Sequence, residues 1–322
     1  MDRRTALGIV PAWSLVTQAW AQPRYPSRPV RIIVPWTPGG AADQTARLIA
    51  TGLGPLLGQS VVVENKAGAG GRIGTEEVAR AQPDGHTLLL GGPSTNSIPF
   101  GIGTSLPYHP VSDFEPVAYV SRLPLVLVTP ASQGIGSISA LVERGRARPE
   151  TLTYGSAGPG SGTHLATAAV LAALGLNPTH VPYKGQAPAL QDLLGDRILL
   201  LMDQMGAKPH IDAGRLRPLA TTGERRWFIL PEVPTLVELG QRELVIYSWQ
   251  AILAPRGTPR EIVQTLNGHI NTMLGSAAAA QFFSVNGMEA KGGSAEALRD
   301  FMMQDALRWQ SVVRQNNLKV TD

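Results

Sequence analysis

The chain has 322 residues, 43% of them apolar and 16% charged, with a formal charge of +4 from 28 basic and 24 acidic side chains. That length carries about two domains, and the apolar content excludes a disordered chain. Cysteine is absent, which excludes disulfides, thiolate catalysis and cysteine-ligated metal centres, and the basic residues form no run longer than Arg3-Arg4 or Arg225-Arg226, so the polybasic stripe that nucleic acid requires is missing.

The first 21 residues read as a targeting segment. A short charged start, Met1-Asp2-Arg3-Arg4, precedes an uncharged stretch from Ala6 to Ala21 that ends in Ala19-Trp20-Ala21. Small residues at the −3 and −1 positions predict a secretory signal peptide over residues 1–21, cut before Gln22. Ala6 stands where a twin-arginine signal carries a bulky apolar residue, so the general export route and a periplasmic mature protein are expected. No other uncharged stretch reaches the ~18 apolar residues of a spanning helix.

Strands and helices then alternate. Val30–Val34 predicts a strand stopped by Pro35, and Ala42, Ala46, Ile49, Leu53 and Leu57 repeat at helical spacing. Val61–Val63 is a second strand, Ile73 to Ala81 a helix ended by the turn Pro83-Asp84-Gly85, and Thr87–Leu90 a third strand. The pattern recurs with Thr151–Tyr154, a helix from His164 to Leu174, His180–Tyr183, a short helix through Leu194, and Ile198–Met202. Near-continuous apolar strands separated by helices indicate an α/β fold with mixed, mainly parallel sheets flanked by helices. The long apolar segments Val117–Val128 and Val245–Leu253 read as crossings between two lobes, residues 22–122 with 248–322 and residues 123–247, and the last third is helical. Two lobes joined by two crossings leave a cleft, where ligands favour binding.

Three Gly-rich loops follow strands. Pro35–Asp43 runs into a helix start, where free N–H groups and the helix dipole favour an anion; Pro38, Gly39 and Gly40 are candidate ligand contacts, and Asp43 is either a second such contact or a carboxylate on the dipole. Gly155–His164 repeats that context, with hydroxyls at Ser156, Ser161 and Thr163, and His164 is a cap or ligand contact. Asn65–Gly74 approaches a dinucleotide fingerprint but places Ile73 at the third glycine, and no P-loop or G-x-S-x-G is present. The six histidines lack metal-ligand spacing. No metal and no cofactor are expected. Asp203 closes an apolar strand and is either an acid facing the cleft or an ordinary turn residue.

Several blocks in order, Pro38–Asp43, Val61–Gly71, Pro83–Leu89, Asp113–Val117, Tyr154–Gly158, Val181–Gly185 and Pro231–Thr235, resemble the Bug family, the periplasmic substrate-binding proteins of tripartite tricarboxylate transporters. The resemblance runs from about Tyr25 to the C-terminus. It implies a type II periplasmic-binding-protein fold that closes on a small carboxylate, with the Pro38–Gly40 and Ser156–Thr163 loops, Gly158 included, each receiving one end of the ligand. Thr95, Asn96, Tyr183 and Asp203 resemble further ligand-facing positions. Trp36 and Met202–Met205 depart from the usual wording of the family.

The expected protein is therefore a monomeric extracytoplasmic binding protein that opens and closes about Arg122 and Tyr247, captures a di- or tricarboxylate without chemistry, and presents it to membrane permease subunits. The alternatives are a ligand sensor for a membrane receptor and a hydrolase built on Ser161 and His164.

Overall fold

The computed structural model describes residues 25–315, so the expected signal peptide lies outside the described residues. The described chain runs β1 (Val30–Val34), α1 (Ala41–Leu57), β2 (Val61–Asn65), α2 (Arg72–Ala79), β3 (Thr87–Gly91), α3 (Ser97–Gly101), β4 (Phe114–Pro124) and β5 (Val126–Pro130). It continues with α4 (Ile138–Ala147), β6 (Thr153–Ser156), α5 (Gly162–Ala173), β7 (Thr179–Pro182), α6 (Gln186–Leu194), β8 (Leu200–Asp203), α7 (Lys208–Asp212) and β9 (Leu216–Thr221). It closes with β10 (Tyr247–Pro255), α8 (Arg260–Leu274), α9 (Ala277–Val285), β11 (Glu289–Ala290) and α10 (Ala295–Gln315).

Two sheets result, one in the order β11-β4-β10-β3-β1-β2 and the other β7-β6-β8-β5-β9. β1 pairs parallel with β2 and β3, and β6 pairs parallel with β7 and β8. The expectation of mainly parallel pairing needs correction: β4, β5, β10 and β11 make only antiparallel ladders. β4 and β5 carry the chain out of the first sheet and β10 brings it back, so these strands meet their neighbours head to tail. A buried central strand looks equally apolar in either orientation.

The helices form where the pattern put them because one face of each is apolar. Ala46, Ile49 and Leu53 of α1 are buried, and Gly58 ends that helix at φ 66°, a left-handed cap that suits glycine. Helix α4 carries only Ile138, Leu141 and Gly145 inward among charged residues and was not expected; its start is fixed by Ser137, whose Oγ accepts from the Ala140 N–H at 3.2 Å.

Helix α10 spans both halves. Its Leu298 and Met302 pack with Leu89, Tyr119 and Trp249 behind the first sheet, while Trp309 and Val312 enter the core beneath the second sheet beside Leu165 and Leu171 of α5. Between these contacts Asp305 is buried, accepting from Ser97 Oγ at 2.5 Å and from Trp249 Nε1 at 2.8 Å. Burial pushes its carboxyl up, against the two donors.

Helix α3 packs so close to α10 that a Cβ on Gly101 would stand 2.5 Å from Trp309 Cβ and 2.8 Å from the Gln310 nitrogen. Gly101→Ala should therefore destabilise the protein by about 1–3 kcal/mol, the usual cost of overpacking, read as a lower midpoint in urea unfolding. An unchanged midpoint would mean that α10 yields at no cost.

Candidate functional site

A cleft of about 740 Å³ opens between the two sheets. Its walls come from the residues that follow the carboxyl ends of parallel strands, the place where open α/β sheets hold ligands. Trp36 follows β1, Ser94 follows β3, Ala157 follows β6, and Asp203 closes β8. Leu125 and Ile246-Tyr247-Ser248 line it from the two crossings, and Trp309 of α10 from below.

Three helices begin at this cleft. Ala41 of α1, Gly162 of α5 and Gln186 of α6 all line it. The first N–H groups of each helix lack intrahelical partners, so three partly positive helix ends share one cavity. The α5 end is the most elaborate. Ser161 Oγ accepts from the His164 N–H at 3.2 Å and donates to Gly158 O at 2.7 Å, and Thr163 Oγ1 accepts from the Ala157 N–H at 3.2 Å. Gly158 sits at φ 124°, and a Cβ there would meet Tyr183 O at 3.2 Å. Glycine is required on both counts.

Of the residues singled out from sequence, Ser161, Thr163 and Asp203 line the cleft. Pro38, Gly39 and Gly40 are exposed in the loop that leads to Ala41. Asp43 is buried beneath that loop, its Oδ2 accepting from Arg47 Nε and from the Gly39 N–H, each at 3.0 Å. Arg47 first, then that N–H, hold the Asp43 carboxyl at about 2. Thr95 and Asn96 are buried: the Gly92 N–H donates to Thr95 Oγ1 at 3.1 Å, and Asn96 Nδ2 donates to Pro110 O at 2.8 Å. Tyr183 gives its hydroxyl proton to Asp192 Oδ2 at 2.8 Å.

Asp203 is almost fully buried, with Oδ1 accepting from Gln186 Nε2 at 2.7 Å and Oδ2 from the Ala207 N–H. Burial raises its pKa while these donors oppose the rise. It ties the turn after β8 to the start of α6, two segments that both line the cleft.

Ser156 and His164 belong to a ring stack behind the α5 loop. The rings of His164 and His180 lie 4.0 Å apart at 12°, with the Tyr154 ring 4.8 Å from His180 and 6.2 Å from His164. His180 Nε2 contacts Ser156 Oγ at 2.7 Å, and His164 Nδ1 accepts from the Gly160 N–H at 3.1 Å. Burial, then the neighbouring His180, lower the His164 pKa to about 4; burial also lowers that of His180.

The tripartite tricarboxylate transporter family receptor profile matches residues 45–318. The chain belongs to that family. It is similar to protein BugT of Bordetella pertussis, 39% identical over 319 residues that cover 98% of this chain and 97% of that protein. Among solved structures it is similar to an R. palustris protein with adipate, at 37% identity and TM-score 0.81, covering 91% of this chain and 98% of that one. It also resembles MatC from Rhodopseudomonas palustris with bound malate, at 30% identity and TM-score 0.79, covering 90% of this chain and all of that one.

This is a binding-protein family, with the two mixed sheets of periplasmic binding proteins, and the receptor is not an enzyme. The hydrolase alternative also fails on geometry. Ser161 meets the backbone N–H of His164, not its imidazole, and the His164 ring nitrogen facing the loop is occupied by Gly160. A serine nucleophile requires the base at its hydroxyl.

Sequence reasoning missed the α6 start, where Gly185 at φ 125° precedes Gln186; a glycine before a short apolar helix was the available signal. Tyr247, Ser248 and Trp309 carried no such signal, because they reach the cleft from segments distant in sequence.

His164 should take stability from the receptor as pH falls from about 6.5 to about 4, with His180 acting in the same direction and the raised carboxyls of Asp203 and Asp305 acting against it. The unfolded His164 titrates near 6.5 and the folded one near 4, so in this window the unfolded state binds more protons and acid favours it. Urea unfolding across the window should show this slope as the difference between the unaltered receptor and His164→Gln. An equally steep slope in the variant would remove His164 as its source.

Proposed function

We propose that this receptor captures a small carboxylate in the cleft and delivers it to the membrane permease subunits of a tripartite transporter. The observation that carries the reading is the convergence of three helix starts on a cleft whose described lining contains no Arg or Lys. Such a cleft neutralises an anion with backbone N–H groups rather than with a counter-ion. Related proteins with malate and with adipate support a dicarboxylate. The mature protein would act in the periplasm as a monomer, after removal of residues 1–21.

In this reading the lobes are residues 22–122 with 248–322 and residues 123–247. They close about the crossings, where the Arg122 guanidinium lies 4.0 Å from the Tyr247 ring centre and Arg122 Nε bonds Glu289 at 2.9 Å. The exposed Pro38–Gly40 loop and Asp43 shape one seat for the ligand. Gly158, Ser161, Thr163 and His164, steadied by Ser156, shape the other; Thr95, Asn96 and Tyr183 hold the surrounding turns, and Asp203 the α6 side.

Saturation with the right acid at about 100 times Kd should stabilise the receptor by about 2.7 kcal/mol, seen as a raised melting temperature, with the acid recovered unchanged. No shift with any mono-, di- or tricarboxylate would refute the ligand class. Gly162→Val should weaken binding at least tenfold with the fold intact. Even a Cβ there would lie 3.6 Å from Ile98 Cδ1 and 3.9 Å from Ser94 Oγ, and the added methyls occupy the space that a ligand must enter at α5. Unchanged affinity by calorimetry would move the ligand away from that helix.

A further inference from the structure

The described lining of the cleft carries one charged side chain, and its hydroxyl and amide groups, from Ser94, Ser161, Thr163, Gln186, Gln204 and Ser248, are set among apolar walls. Among the described residues that line it, Asp203 is the one acidic side chain and none is Arg or Lys. Trp36 and Met205 are half-buried and present hydrophobic surface, while the largely buried Leu125, Leu190, Ile246, Trp309 and Tyr247 show only their edges. A volume of about 740 Å³ is in the range that drug-sized ligands fill, and apolar walls of this kind reward apolar area.

Trp36 is the most specifically placed of these side chains. It stands on the loop between β1 and α1, half-buried, five residues before the α1 start. Its ring edge rests on Gly71. A Cβ on that glycine would lie 3.2 Å from Trp36 Cη2, 3.3 Å from Cζ2 and 2.9 Å from Thr95 Cγ2. Gly71 is at φ 94°, so both its backbone and its missing side chain suit the indole lying there. Asn65 Nδ2 donates to the backbone carbonyl of Trp36 at 3.0 Å. The indole is therefore a wall that rests on Gly71, carried by a backbone that Asn65 fixes, beside a helix start suited to a carboxylate.

Resting on the carboxylate reading above, we infer that the receptor selects an organic acid of low charge with an apolar body, an aromatic ring or a long methylene chain, and that Trp36 determines this preference. A small hydroxy acid or a tricarboxylate would leave indole and aliphatic walls against polar groups or bring several charges to a cleft with no cation. One carboxylate at a helix start and a ring or chain against Trp36 satisfies both surfaces. Apolar transfer and ring stacking then add to the charge-assisted hydrogen bonds at the helix starts.

The test is calorimetry of the purified receptor with benzoate, phenylacetate, adipate, malate and citrate. At least one apolar-bodied acid should bind tenfold or more tighter than malate and citrate. In Trp36→Ala that ratio should fall at least fivefold, and Trp36→Phe should keep most of it, with circular dichroism checking the fold of both. Malate or citrate binding tighter than every apolar-bodied acid would overturn the inference while leaving carboxylate capture intact. A ratio unchanged in a folded Trp36→Ala would overturn the role of Trp36. Binding of none of the five acids would overturn this inference, and the reading it rests on would fall only if the wider mono-, di- and tricarboxylate melting screen also showed no shift.

Discussion

A parallel strand must be followed by a crossover, and here each crossover helix starts just past the strand's carboxyl end. This constraint places the receptor's chemistry. β1, β6 and β7 end seven, six and four residues before a helix begins, and those beginnings, at Ala41, Gly162 and Gln186, meet in the cleft. Unpaired N–H groups are an unavoidable by-product of starting a helix. Two facing sheets gather them into one cavity, so an anion site arises from backbone alone. The side chains are then free to shape the cavity instead of charging it.

The two sheets are joined by more than the crossing strands. Helix α10 packs Leu298 and Met302 behind the first sheet and Trp309 and Val312 beneath the second, with Asp305 fastened to Ser97 and Trp249 in between. Gly101 lets α3 sit directly on this helix. A movement of the second sheet must therefore slide over or carry the end of α10. Trp309 lies both in that core and in the cleft lining, so packing and ligand space share one side chain.

The polar residues around the cleft act mostly on one another. Asp203 is committed to Gln186 and Ala207, Asp43 to Arg47 and Gly39, and the His164–His180–Tyr154 stack backs the α5 loop. Buried polar groups need such partners, and here the partners are turns that lead into helix starts. A neutral His164 accepts from the Gly160 N–H; its protonated form would have to break that bond and stack a charge on His180. The same arrangement that rules out a serine nucleophile thus links loop geometry to pH.

Much was legible in the sequence by itself. Val30–Val34, Thr87–Leu90 and Ile198–Met202 announced buried strands, and the helical spacing of α1 with the helical last third announced the layers, because burial of one face is a local periodic property. The Gly-rich loops at 35–43 and 155–164 announced helix starts, because glycine and hydroxyl residues before an apolar helix reflect local backbone needs. Only the tertiary structure decided that β4, β5 and β10 pair antiparallel, that α6 adds a third helix start, and that Ser161 meets a backbone N–H rather than an imidazole. It alone brought Trp36, Tyr247 and Trp309, more than 200 residues apart at the extremes, into one cavity. Strand orientation and cavity walls depend on contacts between segments remote along the chain, and hydrophobic periodicity records that a residue is buried without recording against what.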